Sequence, residues 1–160
     1  MMTAVARGIS GNKYDLIRDQ QILTQIQLKA IRTGATWHIG NQQYEIRRDS
    51  QRKNTLAFML DGVQHGWVTR PSFMRSDYIG EFRGQSFVLM RPKWYSNTYA
   101  VTVNGQACGT IERQGFWQNR VISRLVNVDP QLELWLVVVA VMAYTRDDAA
   151  VVASTTAASS

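Results

Sequence analysis

The segment from residue 129 to 146 constrains the fold of this chain more than any other. Its central stretch, residues 134–144, has no charged or strongly polar side chain. Asp129 can accept hydrogen bonds from the unpaired N–H groups of a first helical turn, and Pro130 suits the first helical position. We therefore predict one helix over about residues 130–146. A helix that is apolar on every face needs apolar surroundings on every side.

Such a helix can lie in a membrane or inside the protein. The apolar stretch has eleven residues, which span roughly 16 Å, whereas a bilayer core is about 30 Å thick. Glu133 and Arg146 bound the stretch, so extending it would bury charge. We predict that the helix fills the protein interior, and keep partial membrane anchoring by this helix as a weaker alternative. Five of its side chains are predicted to be core residues: Leu134, Trp135, Val138, Val141 and Met142.

Short strands with turn residues between them are predicted for most of the remaining chain. The clearest hairpin joins residues 98–103 to residues 106–113 through Asn104-Gly105, a favoured two-residue turn, and Gly109 indicates a bulge or a close backbone approach. Eleven or twelve such strands favour an antiparallel barrel or sandwich. Only a closed barrel surrounds the helix completely. We therefore predict a mainly β fold: a closed antiparallel barrel of about twelve short strands around one buried C-terminal helix.

The predicted barrel is a single domain that spans residues 13–148. Residues 1–12 are expected to be a flexible lead-in, and residues 149–160, rich in alanine, serine and threonine, a flexible tail. Alternation of Ile22, Ile26 and Leu28 with glutamines predicts a half-buried strand. The single cysteine, Cys108, cannot form an internal disulfide and is expected to be a buried small residue. We expect a monomer in the cytoplasm, peripheral to the inner face of the membrane.

The positive charge of the chain is unevenly distributed. The net charge is +6, but residues 129–160 carry one basic and four acidic side chains, so the preceding body is +9. This asymmetry favours an anionic partner, and its alternative is a basic surface that only maintains solubility. Two clusters are predicted to bind the anionic partner, and their members are Arg47, Arg48, Arg52 and Lys53 in the first and Arg91, Lys93 and Trp94 in the second.

No enzyme motif is found in the sequence. The two histidines, His38 and His65, have no cysteine or carboxylate at ligand spacing, and there is no phosphate-binding loop and no nucleophile elbow. We therefore predict a non-enzymatic protein without a cofactor or a metal. Nucleic acid is not the expected partner, because no recognised nucleic-acid module accompanies the basic charge.

Three sequence features carry a resemblance to a known family: the strand rhythm, the segment Tyr99-Ala100-Val101-Thr102-Val103-Asn104-Gly105 with Gly109-Thr110-Ile111, and Asp129-Pro130-Gln131-Leu132-Glu133-Leu134. Over almost the whole chain it resembles the tubby C-terminal-like superfamily, and most closely the small bacterial LURP-one-type branch. The resemblance implies a twelve-stranded barrel around an apolar helix. Tubby proteins bind phosphoinositide headgroups, and scramblases are linked to phospholipid movement. The cysteine-rich segment and the calcium-binding stretch of scramblases are missing here.

These features predict a binding module whose basic barrel surface docks an anionic partner. The leading candidate is an anionic membrane surface or a phosphoinositide-like headgroup, and an acidic protein is the other anionic candidate. The alternative is a structural or protein-interaction domain that has no affinity for lipid.

Overall fold

A computed structural model describes residues 1–8, 10–29, 33–71, 77–93, 95–115 and 119–158, with side chains described up to residue 148. Its twelve strands are β1 Met2–Arg7, β2 Lys13–Arg18, β3 Gln21–Leu28, β4 Ala35–Ile39, β5 Gln42–Arg48, β6 Thr55–Leu60, β7 Val63–Thr69, β8 Tyr78–Phe82, β9 Gln85–Met90, β10 Thr98–Val103, β11 Gln106–Gln114 and β12 Arg120–Leu125. One helix, α1 Pro130–Ala158, follows them.

The strands form one closed antiparallel barrel. Each strand pairs with its neighbour in the chain, and β1 pairs with β12 to close the ring, with Met2 opposite Ser123. This confirms the predicted mainly β barrel around a helix. Closure also means that none of the twelve strands has an unpaired edge.

The start of the chain differs from the prediction. Residues 2–7, predicted to belong to a flexible lead-in, form β1, and both Met2 and Ala4 are fully buried. The sequence did not predict a strand here, because this segment is made of small and mildly apolar residues and no turn residues precede it. Its strand conformation is stabilised by pairing with β2 on one side and β12 on the other.

The two ends of the barrel are built differently. At one end the strands are joined by two-residue turns, such as Asp61-Gly62 and Asn104-Gly105, in which both residues have positive φ. This geometry matches the right-handed twist of the paired strands and confirms the turns predicted there. At the other end the connections are longer, as at residues 49–54 and 91–97. The helix begins near the short-turn end, and its second half reaches the long-loop end.

Helix α1 fills the barrel as predicted. The Asp129 carboxylate accepts hydrogen bonds from the backbone N–H groups of Gln131 (2.8 Å) and Leu132 (3.3 Å), which confirms the N-cap. The predicted core side chains of the helix are all 5 % exposed or less: Leu134, Trp135, Val138, Val141 and Met142. The helix is longer than predicted and ends at Ala158. Within the described residues, no helix is long and apolar enough to cross a membrane.

Two local predictions from strand patterns have different outcomes. Gly109 has a φ of 124° and lies at a bulge where the β10–β11 register shifts, as predicted. Cys108, beside it, is buried. Ile22, predicted to face inward with Ile26 and Leu28, is 60 % exposed. The register of β2 and β3 shifts next to Ile22, so the alternation seen in the sequence does not continue through it.

Candidate functional site

A cavity of about 760 Å³ opens at the long-loop end of the barrel. It lies between the middle of α1, residues 139–146, and the ends of β5, β6, β7 and β8. Five cationic side chains line it, namely Arg48, Arg52, Lys53, Arg70 and Arg146. Three of the five, Arg48, Arg52 and Lys53, belong to the first predicted basic cluster. The structure therefore places most of that cluster at one concave site.

The loop at residues 49–54 forms one rim of the cavity and is held by hydrogen bonds. The Asp49 carboxylate accepts from the backbone N–H of Gln51 (2.9 Å), and the Asp49 N–H donates to the carbonyl of Thr55 (2.9 Å). At the other end of the loop, the Asn54 carbonyl accepts from the N–H of Arg70 (3.2 Å) and the hydroxyl of Thr69 (3.2 Å). These bonds tie the cationic loop to β6 and β7.

The cavity changes from basic at its rim to apolar at its floor. On the helix, Val139, Met142 and Ala143 line the floor and Arg146 lies one turn further on. Because side chains three and four positions apart share one face of a helix, these residues form a single stripe. At the end of β7 the same change occurs between Val68, in the strand, and Arg70, directly after it.

Positive charge dominates the cavity. Asp49 is the single carboxylate among the described lining residues, so five cations and one anion leave a formal excess of four positive charges. No carboxylate of the described chain lies within ion-pair distance of Arg48, Arg52 or Lys53. Cations elsewhere on the barrel do pair with carboxylates, for example Lys29 with Glu45 at 3.1 Å. Three cations without a carboxylate partner among the described residues thus lie together at this cavity.

Arg47, predicted in the same cluster, does not line the cavity. Successive residues of a strand point to opposite faces. Ile46 is fully buried inside the barrel, so Arg48 follows it on the inner side while Arg47 points outward with Glu45. The Arg47 guanidinium lies 3.7 Å from the Glu45 carboxylate. Arg47 therefore lies on the face opposite Arg48 and outside the cavity, and its binding to an anionic partner stays a prediction.

The second predicted cluster is not a cluster of exposed cations. The Arg91 side chain is 4 % exposed and pairs with Asp147 of the helix at 2.5 Å. Its guanidinium lies 5.2 Å from the ring centroids of both Tyr99 and Tyr144, and its Nε donates to the Ser96 carbonyl at 2.6 Å. Arg91 therefore joins the helix to the barrel, and its assignment to an anionic partner was wrong.

The other members of the second cluster are placed differently from Arg91. Lys93 is exposed, and its ammonium group lies 5.6 Å from the ring centroid of Tyr95. Trp94 lies outside the described residues. Neither Arg91 nor Lys93 is among the described residues that line the cavity. Within the described residues, the two predicted clusters therefore do not come together at this cavity.

A second ion pair holds the same end of the helix. The guanidinium of Arg113 donates to both carboxylate oxygens of Asp148, at 2.8 and 2.6 Å. With the Arg91–Asp147 pair, it fixes the turn that carries Arg146. Arg146 in turn donates a 3.5 Å hydrogen bond to the hydroxyl of Tyr78, which also lines the cavity. These contacts orient the helical wall of the site.

Three buried tyrosines surround these ion pairs. Burial raises the pKa of Tyr78 to about 12, and it raises the pKa values of Tyr99 and Tyr144 still further. The neighbouring Arg91 partly opposes the shift of all three. All three phenols are therefore neutral at pH 7, so Tyr78 remains able to donate a hydrogen bond into the cavity.

These pKa shifts predict a loss of stability at alkaline pH. A tyrosine whose pKa is raised on folding contributes stability below its unfolded pKa of about 10, and the contribution is lost as the pH rises towards the folded pKa. For Tyr78, a rise from 10.0 to about 12 corresponds to about 3 kcal/mol lost between pH 10 and pH 12. Chemical denaturation across this range, followed by tyrosinate absorbance, measures the loss. Tyr78→Phe should reduce the pH dependence, whereas Tyr95→Phe, on an exposed side chain, should not.

Sequence reasoning missed several members of the site. Arg70 lies beside the loop at residues 49–54 because β6 and β7 form a hairpin, and Tyr78 follows on the neighbouring β8. Arg146 is distant in the chain and reaches the site only because the helix fills the barrel. One signal was present: Arg146 follows Met142 by four positions and Val139 by seven, which places all three on one helical face. No group of three or more metal-ligating side chains occurs in the part of the chain that the structure describes.

The chain was compared with known proteins in three ways. A scan against protein-family models, a search of curated proteins and a search of solved structures returned no match. The function is therefore argued from the geometry and charge of the cavity.

Proposed function

We propose that the protein is a non-enzymatic binding module that docks onto anionic phospholipid headgroups through its basic cavity. The observation that carries the proposal is the convergence of five cations from three separate parts of the chain on one concave site. Arg48, Arg52 and Lys53 have no carboxylate partner in the described chain. An anionic ligand would supply the missing counter-charge.

The residue types suit a phosphate group. Arginine offers planar, paired N–H donors that bind two phosphate oxygens at once, and lysine adds a compact charge. Each cation near an anionic leaflet contributes about 1 kcal/mol to binding. Because the cations lie at an open rim, their attraction to a headgroup is screened by salt.

The same proposal includes membership of the tubby C-terminal-like superfamily and a location peripheral to the inner face of the membrane. Two observations support it: the twelve-stranded barrel around an apolar helix, which is the fold that the resemblance implies, and the basic cavity.

Cosedimentation with vesicles tests the proposal. The parent protein should bind vesicles that contain phosphatidylserine and not vesicles of phosphatidylcholine alone, and added salt should weaken the binding. Replacing Arg48, Arg52 and Lys53 with glutamine should lower the affinity tenfold or more, because three favourable contributions of about 1 kcal/mol each are removed. A matched variant with Lys13, Arg83 and Arg120 changed to glutamine has the same net charge, +3 in place of +6, and should keep its affinity.

A pair of single variants sharpens the test. Arg48→Gln should weaken vesicle binding, whereas Arg47→Gln, one residue away on the opposite face of β5, should have little effect. Equal losses in the two triple variants would show that net charge alone attracts the protein. Absence of binding by the parent protein would exclude lipid docking.

A further inference from the structure

We infer that the protein docks with its long-loop end against the bilayer and inserts a small apolar patch that lies on the outside of the barrel, beside the basic cavity. This outer apolar patch consists of Ile79 on β8, Val88 and Met90 on β9, and Ala100 on β10. The inference rests on the proposed function and adds the orientation and the depth of the docked protein.

The outer apolar patch is continuous across three neighbouring strands. Ile79 pairs with Val88, and Met90 pairs with Ala100. Residues opposite each other on paired strands have Cβ atoms about 5 Å apart. All four side chains point away from the barrel interior, because the residues that alternate with them, such as Leu89, are buried. Ile79 is 38 % exposed and Met90 is 54 % exposed, so apolar surface is open to a partner here.

The patch adjoins the rim of the basic cavity. Tyr78, which lines the cavity, directly precedes Ile79 on β8. Arg70, another lining residue, directly follows Thr69, and Thr69 pairs with Ile79. Met90 is the last residue of β9, so it also lies at the long-loop end. A surface that meets this end of the barrel can therefore contact the cations and the patch together.

An anionic bilayer matches both features, whereas a second copy of this chain does not. A bilayer places negatively charged headgroups directly above hydrocarbon, so one approach matches the cations and the apolar side chains. A second copy docked through the same patch would bring its own basic cavity close to the first, and like charges repel. A stable interface between two proteins also buries about 800 Å² on each partner, more than four partly exposed side chains provide.

Glu81 limits the depth of insertion. It is exposed on the same face of β8 and lies two residues further from the long-loop end than Ile79, or about 7 Å along the strand. Transfer of a carboxylate into hydrocarbon is costly. Ile79 and Met90 should therefore reach the boundary between headgroups and acyl chains, while Glu81 stays in water.

Substitution of the patch tests the inference in the full-length protein. Ile79→Ser with Met90→Ser should lower the affinity for vesicles that contain phosphatidylserine about tenfold, because less apolar surface then leaves water. The salt dependence of the remaining binding should be unchanged, since no charge is altered. Ile22→Ser with Val63→Ser is the matched control. Both side chains are 60 % exposed and lie beside two-residue turns at the short-turn end, so the affinity should be kept. Equal losses in the two pairs, or no loss in the patch pair, would overturn the inference.

A fluorescent label that reports local polarity provides the second arm. It is attached to Met90→Cys, Glu81→Cys or Val63→Cys in a Cys108→Ala background, which leaves one thiol in each protein. When the protein binds the vesicles, the emission of the label at position 90 should shift to the blue and be quenched by bromine atoms on the acyl chains. Labels at positions 81 and 63 should not be quenched. Unchanged emission at position 90 in the vesicle-bound protein would also overturn the inference.

The results separate the inference from the proposed function. Vesicle binding that requires Arg48, Arg52 and Lys53, but is indifferent to the patch pair and leaves the label at position 90 unchanged, would keep headgroup docking and exclude insertion. Insertion of that label after replacement of the three cations would exclude the cavity as the headgroup site and keep the patch as the membrane contact. A dimer of the parent protein that the patch pair abolishes, without a response of the label to vesicles, would assign the patch to a second copy and overturn the inference.

Discussion

Trp135→Ala is expected to lower the free energy of unfolding by about 3–5 kcal/mol, because it removes a large side chain that is 1 % exposed. The indole of Trp135 stacks on Phe58 at 4.8 Å between ring centroids and meets Trp37 edge-on at 4.9 Å. It also contacts Tyr44 and Phe82, on other strands of the barrel. Truncation therefore opens a cavity that rigid strands cannot close. Thermal unfolding should shift down by about 6–20 °C.

Trp67→Ala is the matched control for this prediction. Trp67 is half-buried. The side chain that faces the interior at this point of β7 is that of the neighbouring Val68, which is 1 % exposed. The loss of stability should be less than half that of Trp135→Ala, since less apolar surface is removed from the core. Similar losses for the two variants would contradict the central role of the helix in filling the barrel.

Asp147→Ala is expected to lower the free energy of unfolding by about 2–4 kcal/mol. The substitution removes the carboxylate that pairs with Arg91 and leaves a guanidinium that is 4 % exposed. An uncompensated buried charge is costly, although the hydrogen bond from Arg91 to Ser96 and its contacts with Tyr99 and Tyr144 offset part of the cost. Denaturant unfolding at pH 7 measures the effect.

Asp148→Ala provides the comparison one residue further along the helix. Asp148 is 44 % exposed, and its partner Arg113 is 17 % exposed, so loss of this pair should cost about 1 kcal/mol or less. Replacing Arg91 by Met and Asp147 by Leu together should recover much of the stability lost in Asp147→Ala, because no charge then remains buried. Equal costs for Asp147→Ala and Asp148→Ala would show that Arg91 is effectively solvated.

The central features of the fold were predictable because they depend on local chemistry. Asp129 and Pro130 specify where the helix begins, and Asn104-Gly105 specifies a turn, whatever the rest of the chain does. The barrel then followed from the need to surround an apolar helix. Strand β1 was not predicted, because its small residues become a strand through pairing with β2 and with β12, and β12 is more than a hundred positions away.

The candidate site was predictable only in part, since burial and convergence are properties of the folded chain. Arg48, Arg52 and Lys53 are close in sequence and were recognised together. Arg91 was misassigned because the sequence Arg91-Pro92-Lys93 has the composition of a surface loop, and Asp147, which pairs with it, is distant in the chain. Arg47 was grouped with Arg48 because composition was considered without the alternation of their strand, which places the two side chains on opposite faces.

Pairing of the first strand with the twelfth has a consequence for the folding pathway. Met2 meets Ser123 only after nearly the whole chain is available, and contacts of such long sequence separation make folding slow. Until that moment β1 and β12 present unpaired edges to other molecules. We therefore expect this protein to be most prone to aggregation during folding, before β1 and β12 have paired.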